Sequence, residues 1–270
     1  DPNAIYSVFF PQNVHIKMAG GTSCAQFGGY HHAVKVSGVA VAYAVIPTCP
    51  GFDGRENADA ITAPASHEFV EAATDPFPPG DFAYAQIDQA HAVYGVAPGT
   101  ELADMCSYDS DAFYKPAGLD FLVQRIWSNA AALSGGDPCA PIPAGHVYYG
   151  AIPDFVDDVT IHATSFSQSL TGTTKGVRVP LGQSAQVAID LFSTAAMDAP
   201  FTVKVVDAPT FFGTGSAELQ IVLDSDNGNN GDVLHATITR LKNGASNGTE
   251  LVVVAGTSAS YHTTFGFAAN

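Results

Sequence analysis

The stretch Ser66-His67-Glu68-Phe69-Val70-Glu71-Ala72-Ala73-Thr74-Asp75-Pro76 carries the sharpest chemical signal in the chain. If it is helical, His67 and Glu71 stand at i and i+4 on one face, so an imidazole and a carboxylate converge on one point with Glu68 alongside. This is the HExxH zinc helix with its second histidine exchanged for glutamate. Zinc takes carboxylate oxygen as well as imidazole nitrogen, and a catalytic zinc needs three protein ligands and a position open to water. Glu68 is then the base that takes the water's proton. A charged helix whose histidine and glutamate merely pair with each other is the plain alternative.

A third ligand is expected from Glu101-Leu102-Ala103-Asp104-Met105-Cys106, which sets two carboxylates three residues apart beside a cysteine. Asp104 is favoured as the ligand and Glu101 as its neighbour, with the reverse assignment left open. An acidic surface turn would look the same in so acidic a chain. Tyr30-His31-His32 follows a glycine-rich loop, and His31, His32 or Tyr30 could donate a hydrogen bond to the oxyanion of a tetrahedral intermediate. Adjacent residues of an extended chain point to opposite sides, so at most one of the two histidines is expected to face the site.

Other constellations are weaker. No G-x-S-x-G elbow supports a serine hydrolase. His91 and His146 have no partner at ligand spacing. The run from Asp224 to Asp232 is composed like a structural Ca2+ loop but lacks the glutamate at its twelfth position, and a polar hairpin connection is favoured. Asn247-Gly248-Thr249 is a glycosylation sequon.

The elements that must position these groups can be read from periodicity. Residues 4–10 and 40–46 are short apolar runs rich in aromatic and β-branched residues, expected as buried strands of one sheet. A helix is predicted over 57–74, with Ser66 capping a final segment and Asp75-Pro76 stopping it. The spacing of Leu122, Ile126 and Ala130 predicts a second helix over 119–133, followed by a Pro/Gly-spaced linker to about residue 155. Beyond it the hydrophobic period becomes two, as in Val187, Ile189 and Leu191 or Leu234, Ala236 and Ile238. Runs of this kind near 159, 177, 186, 202, 218, 233, 250 and 260 predict a β-sandwich. Two domains are therefore expected, 1–150 carrying the chemistry and 151–270 as an accessory sandwich.

The 270 residues carry 10 Lys+Arg against 26 Asp+Glu, a formal charge of −16, which argues against nucleic acid or an anionic membrane as partner. With 46% hydrophobic and 13% charged residues the chain can bury a core. It lacks an 18-residue apolar run and begins without a secretory leader, so any leader is expected to have been removed. Four cysteines suit export and disulfides, and order along the chain favours Cys24 with Cys49 and Cys106 with Cys139 among three connectivities.

Taken together, Phe27-Gly28-Gly29-Tyr30-His31, Tyr43-Ala44-Val45-Ile46-Pro47, the segment from Ser66-His67-Glu68 to Thr74-Asp75-Pro76, Glu101 to Cys106, and Val123-Gln124-Arg125-Ile126-Trp127-Ser128-Asn129 resemble the exordium-like (phosphate-induced protein) family and its bacterial secreted relatives. The resemblance covers roughly residues 4–140. It implies a secreted zinc metallopeptidase with an α+β, α/β-like zincin-type N-terminal domain ahead of the all-β sandwich. It raises His67, Glu68, Glu71 and the Glu101–Asp104 segment together, and His31 above His32. The chain departs from it at Gly28, where relatives often place a cysteine. The expected function is a hydrolase binding one Zn2+ per chain through His67, Glu71 and Asp104 or Glu101. Glu68 would be its base, and His31 or Tyr30 would steady the oxyanion. A protein or peptide substrate and a monomer are expected. The alternative is a non-enzymatic extracellular binding or wall-associated protein that keeps the helix for structure.

Overall fold

The computed structural model describes residues 1–18, 21–78, 83–84, 92–95, 101–133, 137–139, 147, 149–165, 168–244, 247–258 and 260–270. His91 and His146 lie outside the described residues. Among the described residues strand accounts for 44% and helix for 16%, with three α-helices, so the described structure is mostly β. This corrects the expected α+β zincin-type N-terminal domain: α1 (Asp59–Thr74) is 16 residues long, whereas α2 (Asn129–Leu133) has five and α3 (Ala208–Phe211) four.

The first half is built on β1 (Ile5–Phe10), the short pair β2 (Lys17–Met18) and β3 (Gly21–Thr22), β4 (Tyr30–Val36) and β5 (Val39–Pro47). β1 runs parallel to β5 from Ile5 opposite Ala42 to Phe10 opposite Pro47, and β4 pairs antiparallel with β5. Ser37 and Gly38 both have positive φ, the backbone that closes a two-residue hairpin in the twist of its strands. Ala44, Ile46 and Ala65 are buried together where α1 crosses the sheet, and the small side chains let helix and strand approach closely. β1 is largely exposed, unlike the buried strand expected there.

The helix predicted over 119–133 forms only as α2. β6 (Phe113–Tyr114) and β7 (Val123–Gln124) make a hairpin instead. Arg125 N–H donates to Ala112 O at 2.7 Å and Trp127 N–H to Leu102 O at 3.1 Å. Amides committed to distant carbonyls cannot also make the i to i−4 ladder. Cys24–Cys49 and Cys106–Cys139 are disulfide-bonded, which fits an extracellular chain. Among the described residues no helix is long and apolar enough to cross a membrane.

The second half contains β8 (Tyr149–Pro153), β9 (Asp157–Ser165), β10 (Gln168–Arg178), β11 (Ser184–Ser193), β12 (Phe201–Asp207), β13 (Leu219–Leu223), β14 (Asn227–Gly228), β15 (Val233–Arg240), β16 (Gly248–Gly256) and β17 (Tyr261–Ala269). They form a six-stranded sheet, β14-β12-β16-β17-β10-β9, and a four-stranded sheet, β13-β15-β11-β8. β8 lies where a linker was expected. The two sheets share a core in which Val187, Ile189 and Leu191 from one meet Val203, Val205 and Leu251 from the other. Each such side chain, fully buried, contributes about 1.5–3 kcal/mol. Arg240 is buried there, and its guanidinium donates to Val179 O, Ala268 O and Thr249 Oγ1 at 2.6, 2.6 and 3.0 Å.

The halves are joined by apolar and polar contacts. Val93 packs with Ile161, Val252, Phe265 and Phe267. Asp109 Oδ1 accepts from Thr263 N and Thr263 Oγ1 at 2.6 and 2.8 Å, and Ser110 Oγ exchanges hydrogen bonds with the Tyr261 backbone.

Candidate metal centre

α1 contains Ser66, His67, Glu68 and Glu71 in one continuous helix. Ser66 is not a cap: its Oγ donates to Ala63 O at 2.9 Å and accepts from Gln124 N at 2.9 Å. The helix ends at Asp75, whose amide still bonds Glu71 O, just ahead of Pro76. His67 and Glu71 meet as their spacing requires, with Nε2 3.1 Å from Glu71 Oε1. The 3-10 turn Asp104–Cys106, anchored by the Cys106–Cys139 disulfide, brings Asp104 Oδ1 to 3.3 Å from the same Nε2. Asp104 N–H donates to Glu71 Oε1 at 3.0 Å and so aims that carboxylate.

Glu101 goes elsewhere. Its carboxylate lies 3.6 Å from His31 Nε2, and burial together with Glu71 and Asp104 pushes it up to about 8, so it holds its proton at neutral pH. His31 and Tyr30 do not line the cleft beside His67. Strand alternation turns His31 inward under α1 and His32 outward, where His32 stacks on Tyr43. His31 Nε2 donates to Asp75 O at 3.0 Å, while Nδ1 faces Glu71 Oε2 at 3.4 Å and Glu68 Oε2 at 3.7 Å. Burial lowers its pKa, but Glu68 and Glu71 outweigh that and lift it to about 10. His31 is therefore an imidazolium beneath the two glutamates, not a donor to an oxyanion in the cleft. Tyr30 packs edge-on between Phe27 and Tyr43.

Gln124 is a site residue that spacing alone did not reveal. Its Oε1 sits 2.8 Å from His67 Nδ1, and its Nε2 donates to Ala103 O at 2.6 Å. A carbonyl oxygen on Nδ1 fixes a proton there and leaves Nε2 as the nitrogen that faces Glu71 and Asp104. The sequence signal was the Val123–Asn129 segment, which carried no side-chain role. Burial pushes the His67 pKa down, yet Glu71 and Asp104 raise it well above the usual histidine range. Glu71 is held near 2, because His67 and His31 overcome the burial that would raise it. The pocket thus favours positive charge at Nε2.

His67, Glu68, Asp104 and Gln124 line one cleft of about 640 Å3. Glu68 is 4% exposed, and burial raises its pKa against the pull of His31 and His67. Gly29 makes room for it: a Cβ there would stand 2.7 Å from Glu68 Oε1. His67, Glu71 and Asp104 each offer a ligand atom within 4.8 Å of the others, as do His31, Glu68 and Glu71. The second group is closed off beneath the helix, whereas His67 and Asp104 open on the cleft, so the first is the candidate site. In the Asp224–Asp232 segment, Asp224 accepts from His235 N and Asp232 from Asn229 N at 2.9 and 2.7 Å, and the segment connects the antiparallel strands β13 and β15.

No family model matches the chain, and no curated protein matches it. Among solved structures it is similar to domains 4 and 5 of the S-layer protein SbsC, at 13% identity and a TM-score of 0.25, over 55% of this chain and 81% of that one. It is also similar to rSbsC(31-844), at 14% identity and a TM-score of 0.26, over 55% of this chain and 22% of that one. Domains 1–6 of SbsC align at 10% identity and a TM-score of 0.25, over 97% of this chain and 39% of that one. Likenesses at these scores carry no argument for function.

Proposed function

We propose that this protein is an extracellular zinc-dependent endopeptidase in which His67, Glu71 and Asp104 hold the ion and Glu68 is the general base. The observation that carries the reading is the placement of His67 Nε2, 3.1 Å from Glu71 Oε1 and 3.3 Å from Asp104 Oδ1. Ligands at zinc's usual bond lengths in a tetrahedron are about 3.3 Å apart. The donor set, one imidazole and two carboxylates, suits zinc, and His67 and Asp104 line the cleft.

Zinc held by these residues would supply an acidified water and polarise the scissile carbonyl. The chain supplies the proton traffic. Glu68, with its pKa raised by burial, is a better base than an exposed glutamate, and it can take a proton in the cleft and return it to the leaving amine nitrogen. His31 keeps a positive charge under Glu68 and Glu71, which offsets the crowding of carboxylates on α1. Gln124 holds the His67 ring in the tautomer that ligation needs.

The test is metal content by elemental mass spectrometry together with hydrolysis of a denatured protein before and after chelation. One zinc per chain and chelator-sensitive hydrolysis are expected. Zinc without hydrolysis would reduce the reading to a metal-binding protein, and neither would move it to a non-enzymatic extracellular binding protein.

A further inference from the structure

The cleft is lined in part by aromatic side chains, and Phe211, Phe212 and Tyr261 among them come from the second half of the chain. Tyr108 follows the Asp104–Cys106 turn and lies in the cleft with His67 and Glu68. Phe211 and Phe212, at and just past the end of α3, meet the Tyr108 ring at 5.6 and 5.0 Å between centroids, both edge-on. Phe52 and Phe113 line the cleft beside them, with Arg55 stacked 3.9 Å over the Phe113 ring. All of these aromatic side chains are only partly buried, so part of each ring faces open volume.

The arrangement is held firmly. Asp207 is 2% exposed and spends its carboxylate on Thr210 N at the start of α3 and on Glu218 N and Leu219 N at the start of β13. The loop bearing Phe211 and Phe212 is thereby clamped at both ends. The Asp109 to Thr263 and Ser110 to Tyr261 bonds fix the two halves on either side of the cleft. A rigid apolar wall costs little to order on binding, and aromatic rings favour an edge-on or offset aromatic partner beyond the simple burial of area.

We infer that Phe211, Phe212 and Tyr108 form a substrate subsite for an aromatic side chain next to the scissile bond, so that the second half of the chain sets specificity. The inference rests on the reading of this cleft as a peptide-binding site. Its occupant is the phenyl, phenol or indole side chain of a bound peptide. The three rings and His67, Glu68 and Asp104 bound one continuous volume.

Two quenched fluorogenic hexapeptides, identical except for Phe or Ala at one central position, are hydrolysed by the full zinc-loaded chain, and the Phe212→Ala and Phe212→Leu variants are compared on both. Wild type should favour the Phe peptide at least tenfold in kcat/KM, and the preference should fall to about threefold or less in Phe212→Ala and partly recover in Phe212→Leu. An equal rate on both peptides, or a preference unchanged by both variants, overturns the subsite while leaving the peptidase reading intact. Binding of the same peptides to the full chain is read separately by fluorescence polarisation. Selective binding of the Phe peptide, weakened by Phe212→Leu, without any hydrolysis upholds the subsite and removes the peptidase. No selective binding and no hydrolysis removes both.

Discussion

Among the described residues, two of the clusters of histidine and carboxylate, one at the candidate metal centre and one at the junction of the two halves, are wired differently. At the candidate metal centre, Gln124 takes His67 Nδ1 and leaves Nε2 to face Glu71 and Asp104 at the edge of an open cleft. At the junction of the two halves, His262 has carboxylates on both nitrogens, Asp111 at 3.0 Å from Nε2 and Asp137 at 3.3 Å from Nδ1, while Asp109 is committed to Thr263. With a neutral acceptor on Nδ1, both carboxylates of the first cluster meet at Nε2, where a cation can replace the ring proton. With a carboxylate on each nitrogen, the His262 ring bridges two acidic side chains and serves as a clasp. Residue type alone would have ranked the clusters together; the hydrogen bonding of each ring nitrogen separates them.

The largest effect expected is at the base. Glu68→Gln should retain one zinc per chain, measured by elemental analysis, and lose roughly a thousandfold in kcat. Substantial activity in that variant would remove Glu68 from its role and with it the contrast between a reactive cluster and a clasp.

The clasp is probed by His262→Gln, which leaves buried carboxylate uncompensated. It should cost about 3 kcal/mol in denaturant unfolding near neutral pH, with zinc stoichiometry retained. The pH dependence follows from the same groups. Burial would lower the His262 pKa, but Asp111 and Asp137 lift it to about 9; burial and then Asp137 raise Asp109 to about 7. Both folded values lie above the unfolded ones, so both groups favour folding at low pH. The Asp109 share fades as pH rises from near 4 through about 7, and the His262 share as pH rises from about 6.5 through 9. Unfolding free energy should therefore fall between pH 6.5 and 9 in the wild type, and His262→Gln should reduce that slope and leave the share of His31, whose raised pKa acts over the same window.

Smaller effects test the orienting groups. Gln124→Leu should weaken zinc 10- to 100-fold in competition with a chromogenic chelator, because the His67 ring loses its fixed tautomer. An unchanged affinity would mean that the neutral partner does not distinguish the two clusters. Gly29→Ala should push Glu68 aside and lower kcat by about tenfold with zinc retained, as expected for a 2.7 Å overlap with its Oε1.

The second half of the chain was the more legible. Val187, Ile189 and Leu191 are buried with Leu234, Ala236 and Ile238 because in a half-buried strand the alternation is itself the fold. Much of the first half resisted the same reading. The four-residue spacing of Leu122, Ile126 and Ala130 did not make a helix, because Gln124, Arg125 and Trp127 bond to Ser66, Ala112 and Leu102. The zincin-type expectation failed with it, because the elements of the first half pack around short strands and turns with one long helix.

By itself the sequence determined what depends on local period and order. The helical turn between His67 and Glu71 placed imidazole against carboxylate, the run of prolines after Asp75 ended α1, and the order of the cysteines matched the two bridges. Only the tertiary structure placed Asp104 beside His67 and Glu101 beside His31, turned His31 under α1 and away from the cleft, supplied Gln124 to the His67 ring and faced the cleft with Phe211 and Phe212. Those contacts join residues 33 to more than 100 positions apart, and no periodicity along the chain encodes a distance between groups that meet only when separate elements pack.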